Sequence, residues 1–143
     1  MFTEMQAAIG NVQLKKLDKI LIKKNKIANF YKKKLDKLKE ITFIKPNKYV
    51  KQVHWFTNIL VNKKYKNKLQ IFLKKRGIQT RSCFYPVNLQ PCYKKKNYIK
   101  NINEKFLISK NIYDELISLP SSFNLSIKQQ MYVISTIKQF FQR

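Results

Sequence analysis

The sequence is poor in the residues with which most enzymes do chemistry. Among 143 residues there are two glycines, one histidine, two cysteines and seven acidic residues. The two glycines, Gly10 and Gly77, are too far apart for a phosphate-binding loop, and the single histidine, His54, excludes a multi-histidine metal site. The carboxylates form no evident acid–base pair, and no serine has the spacing of a nucleophile elbow. The chain taken alone therefore contains no complete catalytic apparatus, and we interpret His54 as a packed residue of an apolar segment.

Cysteine content and the lack of long apolar runs bear on the cellular setting. Cys83 and Cys92 are too few for a disulfide framework, and their spacing matches no zinc pattern. No window approaches about 18 uninterrupted apolar residues, and residues 1–10 lack the basic and then apolar order of a signal peptide. We therefore expect a reduced, cytoplasmic protein with no membrane partner.

The charge is strongly one-sided, with a net value of +24 at pH 7. Arg76, Arg81 and Arg143 are the arginines, and every other basic residue is a lysine. Recognition of bases and phosphates favours arginine, and a coding sequence rich in A and T would itself produce this mixture of Lys, Asn, Ile, Tyr and Phe. Two interpretations stay open: lysine as a solvated surface residue, and a free-standing module that binds nucleic acid or another polyanion.

The hydrophobic pattern predicts one domain with a packed core, since 44% of the residues are hydrophobic. Residues 3–38 are predicted as one long helix, with Thr3 as N-cap and Gln6 completing a capping box. The other predicted elements, in order, are strands at 41–44 and 53–61, a helix at 64–75 stopped by Gly77, a strand at 78–84, a loop at 85–103, a helix at 104–116, and a helix at 127–141 capped by Ser126. This order predicts an α+β fold in which helices cover a small sheet of three strands.

Residues 81–93 (RSCFYPVNLQPCY) form an unusual loop after the third predicted strand. The loop combines cationic, aromatic and polar side chains between two prolines, Pro86 and Pro91. Loops of this kind commonly line binding sites. A rigid connection braced by the prolines is the alternative.

Four segments, in chain order, resemble the C-terminal part of the DegT/DnrJ/StrS sugar aminotransferase family. They are residues 3–17 (TEMQAAIGNVQLKKL), 77–93 (GIQTRSCFYPVNLQPCY), 119–125 (LPSSFNL) and the helix at 126–140. The resemblance covers nearly the whole chain. The motifs TRSCFYP and LQP look most like those of the perosamine synthase branch.

The resemblance implies that residues 1–143 are the C-terminal small domain of a fold-type-I aminotransferase, with a long N-terminal helix and a mostly antiparallel sheet. The complete enzyme would hold pyridoxal phosphate on a lysine upstream of the matched region and act as a homodimer. It would transfer an amino group from glutamate to a nucleotide-linked keto-deoxysugar for polysaccharide or O-antigen synthesis. No lysine here matches the Schiff-base position, so we expect the isolated chain to be inactive and to hold no cofactor by itself.

The resemblance carries over four substrate-binding residues, all in the loop. Arg81 matches the arginine of the family's Thr-Arg pair and could face a carboxylate or phosphate. Phe84 and Tyr85 match aromatic positions that face the sugar nucleotide. Asn88 stands where many members have histidine, which leaves an amide in place of a titratable group.

The first helix carries a further expectation. Gly10 lies inside the predicted helix and costs about 1 kcal/mol relative to alanine. Two explanations of its presence stay open: the helix simply tolerates it, or Ala7, Ala8 and Gly10 pack closely against something else. A domain that packs on a larger partner exposes an apolar patch when alone. That patch would include Met5, Ala8, Ile9 and Val12. We expect self-association or poor solubility of the isolated chain; a decayed gene product without activity is the remaining possibility.

Overall fold

The computed structural model describes residues 3–94 and 106–142. Its helices and strands are, in chain order, α1 (Glu4–Lys15), α2 (Leu17–Leu35), β1 (Ile41–Thr42), β2 (Thr57–Val61), α3 (Lys63–Lys74), β3 (Arg81–Ser82), a 3-10 turn (Val87–Leu89), α4 (Pro91–Lys94), α5 (Leu107–Glu115), β4 (Leu116–Leu119) and α6 (Ile127–Phe141). No helix within these described ranges is both long enough and apolar enough to span a bilayer.

The strands form one antiparallel sheet in the order β1-β2-β4-β3. Thr57 of β2 lies opposite Leu119 of β4, and Arg81 of β3 lies opposite Ser118. The α+β class and the small antiparallel sheet are thus confirmed. The sheet has four strands rather than three, because β4 lies within the segment predicted as the end of a helix and the break after it.

Helix α6 packs on α2 and α3, which in turn contact β2 and β4 of the sheet. On β2 the alternate residues Thr57, Ile59 and Val61 are buried, as expected for a strand with one face on the core. The largest side chains that are fully buried are Tyr31, Ile27, Leu35, Ile59, Leu69, Leu73, Ile117, Leu119, Ile134, Ile137 and Val61. The core is therefore built by the second half of α2, the sheet, α3 and α6.

The single helix predicted at 3–38 is two helices. The break is at Lys16, whose backbone N–H donates to the Gln13 carbonyl, a spacing of three residues rather than four. The predicted cap is confirmed: the Gln6 N–H donates to Thr3 Oγ1 at 3.3 Å and the Thr3 N–H donates to Gln6 Oε1 at 3.0 Å. None of the residues of α1 is buried.

The predicted strands are shorter than expected, for reasons that lie in the backbone. At 53–61 the chain becomes a strand only at Thr57, because the Trp55 N–H turns back to the Val53 carbonyl. At 78–84 only Arg81–Ser82 joins the sheet. The Ile78 N–H instead bonds to the Leu73 carbonyl and closes α3 around Gly77, which has the expected positive φ of 72°.

The other predicted boundaries divide into confirmed and corrected ones. The helices at 64–75 and 127–141 match α3 and α6, and Ser126 forms a capping box with Gln129. The segment predicted as a loop at 85–103 contains the 3-10 turn and α4 up to residue 94, and the rest lies outside the described residues. The helix predicted at 104–116 begins at Leu107 as far as it is described.

Candidate functional site

A cavity of about 630 Å³ lies where β2, β3 and β4 meet the N-terminal end of α6. Its lining is formed by Lys24, Trp55, Phe56, Gly77, Ile78, Gln79, Arg81, Ser118, Leu119, Pro120, Ser121, Ser122, Leu125, Gln129, Tyr132 and Val133. Two of these residues are cations and none is a carboxylate. The electrostatic character of the lining is therefore positive, and it suits an anionic ligand.

Arg81 is the predicted binding residue that lies in this cavity. Short strand β3 holds it opposite Ser118, at the edge of the sheet. Its guanidinium carbon lies 5.7 Å from the centroid of the Phe56 ring, and the residue is exposed. The side chain thus rests on an aromatic face while its N–H groups stay accessible to a ligand.

Lys24 is the other cation of the lining. Its ammonium donates to the Trp55 carbonyl at 2.8 Å and to the Ser121 carbonyl at 2.6 Å. Burial lowers its pKa from the ordinary value, because desolvation penalises the charged form. The two carbonyls fix the ammonium at the wall of the cavity.

The other three predicted residues lie outside this cavity. Phe84 is 79% exposed and borders a separate groove beside α5. Tyr85 packs edge-on against Tyr113 of α5, with ring centroids 5.3 Å apart. Asn88 is half-buried in the 3-10 turn. The structure therefore brings Phe84 and Tyr85 to the side of α5 and leaves Arg81 at the cavity. The binding role of all four remains a prediction.

Lys66 is a residue that the sequence interpretation missed. It is 6% exposed, its ammonium donates to the Tyr113 carbonyl, and it lies 5.0 Å from the Tyr113 ring centroid. Burial lowers its pKa, and the neighbouring Asp114 and Cys83 act in the opposite direction. Since Tyr113 also contacts Tyr85, Lys66 supports the helix against which the loop packs.

A sequence signal for both lysines was present. Lys24 precedes the buried Ile27 and Tyr31 by three and seven residues, and Lys66 precedes the buried Leu69 and Leu73 by the same intervals. A residue at these intervals lies on the core-facing stripe of its helix. A lysine on that stripe is unusual and indicates a specific role for its charge.

His54 lies in another groove, between α2 and the segment before β2. It is half-buried, and burial lowers its pKa because the charged form loses solvation. No group of three or more metal-ligating side chains occurs within residues 3–94 and 106–142. The packed role predicted for His54 stays a prediction.

The fold is shared with solved structures. A structure with the same arrangement is that of S. venezuelae DesV in complex with a ketimine intermediate, which superimposes with a TM-score of 0.86 at 23% identity. The alignment covers 98% of this chain and 37% of the DesV chain. At this identity the likeness establishes the fold.

The sequence then identifies the family. The profile of the DegT/DnrJ/EryC1/StrS aminotransferase family matches residues 1–138, and the chain belongs to this family. It is 32% identical over 140 residues to the GDP-perosamine synthase of Escherichia coli O157:H7 and 30% identical over 144 residues to that of Vibrio cholerae. Each alignment covers 97% of this chain, but 36% of the first relative and 37% of the second. The chain thus spans little more than a third of the length of these relatives.

The cavity described above does not fit pyridoxal phosphate as a complete site. A carboxylate beside the pyridine nitrogen is absent from the lining of the cavity described above. The ammonium of Lys24, the lysine in that lining, is held by two backbone carbonyls. We therefore assign no cofactor contact and no chemical step to the described residues.

Proposed function

We propose that residues 1–143 are the C-terminal small domain of a pyridoxal-phosphate-dependent aminotransferase that acts on a nucleotide-linked keto-deoxysugar. The observation that carries the proposal is the family match over residues 1–138, combined with the coverage of 36% of the first relative. Glutamate is the proposed amino donor, and polysaccharide or O-antigen synthesis is the proposed use of the product. The Schiff-base lysine belongs to the part of the enzyme that this chain does not match.

The loop supports a role in substrate binding. Arg81, Phe84 and Tyr85 are exposed, so each can contact a ligand without rearrangement of the core. Arg81 supplies a charge-assisted donor for phosphate or carboxylate, and the aromatic residues supply apolar surface for a sugar. Asn88 supplies an amide that does not titrate.

The exposed face of α1 supports the domain assignment. Met5, Ile9 and Val12 are 75%, 58% and 49% exposed, and Ala8 is exposed beside them. The expected patch is thus present on the surface, as on a domain that docks against the cofactor-binding part of the same enzyme. We propose that the complete enzyme is a homodimer. We also propose a cytoplasmic location, in keeping with the free cysteines Cys83 and Cys92.

If the DNA upstream of this chain encodes a cofactor-binding polypeptide, combining the two polypeptides tests the proposal. We expect the mixture, and not the 143-residue chain alone, to show the absorbance band of bound pyridoxal phosphate. We also expect the mixture to transfer an amino group to a nucleotide-linked keto sugar. A band with this chain alone, or no complex and no band with the upstream polypeptide, would contradict the assignment.

Two arginine variants distinguish a specific contact of the loop from a general effect of positive charge. Arg81→Gln is expected to raise KM for the nucleotide sugar at least about tenfold, because it removes a charge-assisted contact. Arg76→Gln is the matched control, since the Arg76 guanidinium lies 3.5 Å from the Phe72 ring and bonds to the Phe72 carbonyl, away from β3. An equal rise of KM in the two variants would show that Arg81 has no specific role in substrate binding.

A further inference from the structure

Lys66 is a buried cation to which the proposed function assigns no role. It is 6% exposed, and it shares the core-facing stripe of α3 with Leu69 and Leu73. A lysine in such a position loses the hydration of its ammonium, so a stable fold must supply partners that replace the water. Its hydrogen-bond and ring partner is Tyr113, near the C-terminal end of α5.

The end of α5 supplies the negative side of this contact. The Lys66 ammonium donates to the Tyr113 carbonyl, which lies in the last turn of the helix. Ile117, four residues further on, belongs to strand β4, so the helical pattern does not continue past this carbonyl. Carbonyls in the last turn carry the negative end of the helix dipole, and a cation beside them is stabilising. Lys66 therefore fastens the end of α5 to α3.

The Tyr113 ring connects this contact to the loop. The Lys66 ammonium lies 5.0 Å from the centroid of the ring, within the range of a cation–π interaction. The same ring packs edge-on against Tyr85, with centroids 5.3 Å apart and an interplanar angle of 90°. One ring thus contacts both the buried cation and an aromatic residue of the loop, and its displacement would change both contacts.

Tyr85 has a constrained backbone and an accessible side chain. The next residue, Pro86, is buried, and a following proline restricts Tyr85 to extended backbone conformations. The side chain is 46% exposed, and it contacts the Tyr113 ring. The backbone of the loop therefore places the Tyr85 Cα atom, and the contact with Tyr113 sets the direction of its ring.

We propose that Lys66 is a positioning residue, whose ammonium holds the Tyr113 ring at the end of α5 so that this ring orients Tyr85 in the loop. The inference rests on the proposed function and deepens it, since Tyr85 is one of the residues proposed to contact the nucleotide sugar. Lys66 lies outside the four segments that carry the family resemblance. It acts through Tyr113 and Tyr85 and not by contact with the substrate.

A purely structural role of Lys66 is the competing explanation, and α3 offers a matched control in Lys64. The Lys64 ammonium lies 4.7 Å from the centroid of the Tyr65 ring, which packs edge-on against Phe141 of α6 at 5.8 Å. Lys64 thus makes the same kind of lysine–tyrosine–aromatic contact, but it is exposed and leads to α6 instead of the loop. A general effect of a lost charge or a lost lysine–ring contact would appear at both lysines.

The first test is the nuclear Overhauser effect between the ring protons of Tyr85 and Tyr113 in the 143-residue chain. We expect Lys66→Met to lose this effect and Lys64→Met to retain it. Lys66→Arg should also retain it, because arginine keeps a cation and its donors. Circular dichroism melting shows which variants are folded.

A second neutral variant keeps this test decisive. If Lys66→Met does not fold, Lys66→Gln takes its place, since its side chain is neutral and shorter. A folded neutral variant with an unchanged ring contact would overturn the inference. An equal loss of the effect in Lys64→Met, or unfolding of both neutral variants, would assign Lys66 a structural role and overturn it as well.

The second test is KM for the nucleotide sugar in the assembled enzyme. Lys66→Met is expected to raise KM roughly two- to tenfold, the size of one aromatic contact, and to change kcat less than about twofold. Lys66→Arg should restore KM. An unchanged KM in a variant that has lost the ring contact would overturn the positioning role.

The inference and the proposed function fail by different results. An unchanged ring contact in a folded neutral variant overturns the role of Lys66 and leaves the proposed function standing. A mixture with the upstream polypeptide that shows no cofactor band contradicts the proposed function, whereas the ring contact and its dependence on Lys66 are measured on this chain alone.

Discussion

Helices α1 and α6 begin with the same kind of cap but differ in what surrounds them. Both begin with a capping box, formed by Thr3 and Gln6 in one and by Ser126 and Gln129 in the other. Yet α1 has no buried residue, whereas α6 buries Val133, Ile134 and Ile137 among its five buried residues. Apolar periodicity therefore predicts that a helix has an apolar face, but it does not predict which part of a protein covers that face.

The contrast assigns different sources of stability to the two helices. Helix α6 is held by α2 and α3, so its formation is coupled to the folding of the core. Helix α1 contacts α2 alone among the helices and strands with substantial contacts. An isolated 12-residue helix is marginal in water. We infer that α1 is less stable than α6 in the isolated chain, and the following predictions test this difference.

The largest expected effect is on core packing. Ile59→Ala, at a position 0% exposed, is expected to lower the free energy of unfolding by about 2–5 kcal/mol, through lost burial and a cavity. Ile9→Ala in α1 is expected to change it by less than about 0.5 kcal/mol. Urea unfolding of the isolated chain measures both. Losses of similar size would show that α1 is part of the core.

Removal of the N-terminal cap is also expected to cost more global stability in α6 than in α1. Ser126→Ala is expected to cost about 1 kcal/mol of global stability, because it removes the acceptor for the Gln129 N–H. Thr3→Ala removes the equivalent acceptor but should leave the melting midpoint unchanged and reduce the helical signal. Thermal unfolding followed by circular dichroism gives both quantities. If both variants lower the melting midpoint, α1 is coupled to the folding of the core, contrary to this prediction.

Tyr31, the buried tyrosine of α2, is expected to make folding stability fall at alkaline pH. The Tyr31 hydroxyl donates to the Pro120 carbonyl at 3.1 Å, and burial raises its pKa above the ordinary value of 10.0. The unfolded chain therefore loses this proton first, and stability that is complete below pH 10.0 falls as the pH rises further. Tyr31→Phe should cost about 1 kcal/mol at neutral pH and make the alkaline loss shallower. If the stability of Tyr31→Phe falls with alkaline pH as steeply as that of the unaltered protein, Tyr31 is not the cause of the loss.

The smallest expected effect distinguishes the two interpretations of Gly10. A Cβ at this position meets no atom within 4 Å, so the described structure itself offers no close packing. Gly10→Ala should therefore increase the helicity of α1 in the isolated chain, by up to about 1 kcal/mol of local stability. If Gly10 packs closely on the upstream part, the same variant weakens the complex in a pull-down with that polypeptide. Equal complex formation by both proteins would favour simple tolerance.

The sequence predicted the elements that local chemistry decides. The caps at Thr3 and Ser126, the stop at Gly77 and the limits of α3 and α6 depend on nearby residues, and the structure confirms them. Strand β4 was missed because all four of its residues, Leu116–Leu119, are buried. A short buried run has neither the alternation of a half-exposed strand nor the period of a helix.

The candidate site was predictable only in part. Arg81 could be found through its motif, but its position in a cavity depends on Ser118 and Phe56, which are distant in sequence. Lys24 and Lys66 do not stand out in the sequence, because lysine is so common here. Their partners are backbone carbonyls of remote segments, and these contacts exist only after folding.

The central proposal is that the exposed face of α1 docks on the cofactor-binding part of a larger enzyme. Amide hydrogen exchange tests it most directly, measured on this chain alone and in complex with the upstream polypeptide. We predict rapid exchange of Glu4–Lys15 in the isolated chain and strong protection in the complex, with Ile127–Phe141 protected in both. Protection of α1 in the isolated monomer, or equally rapid exchange in a complex that has formed, would contradict the account.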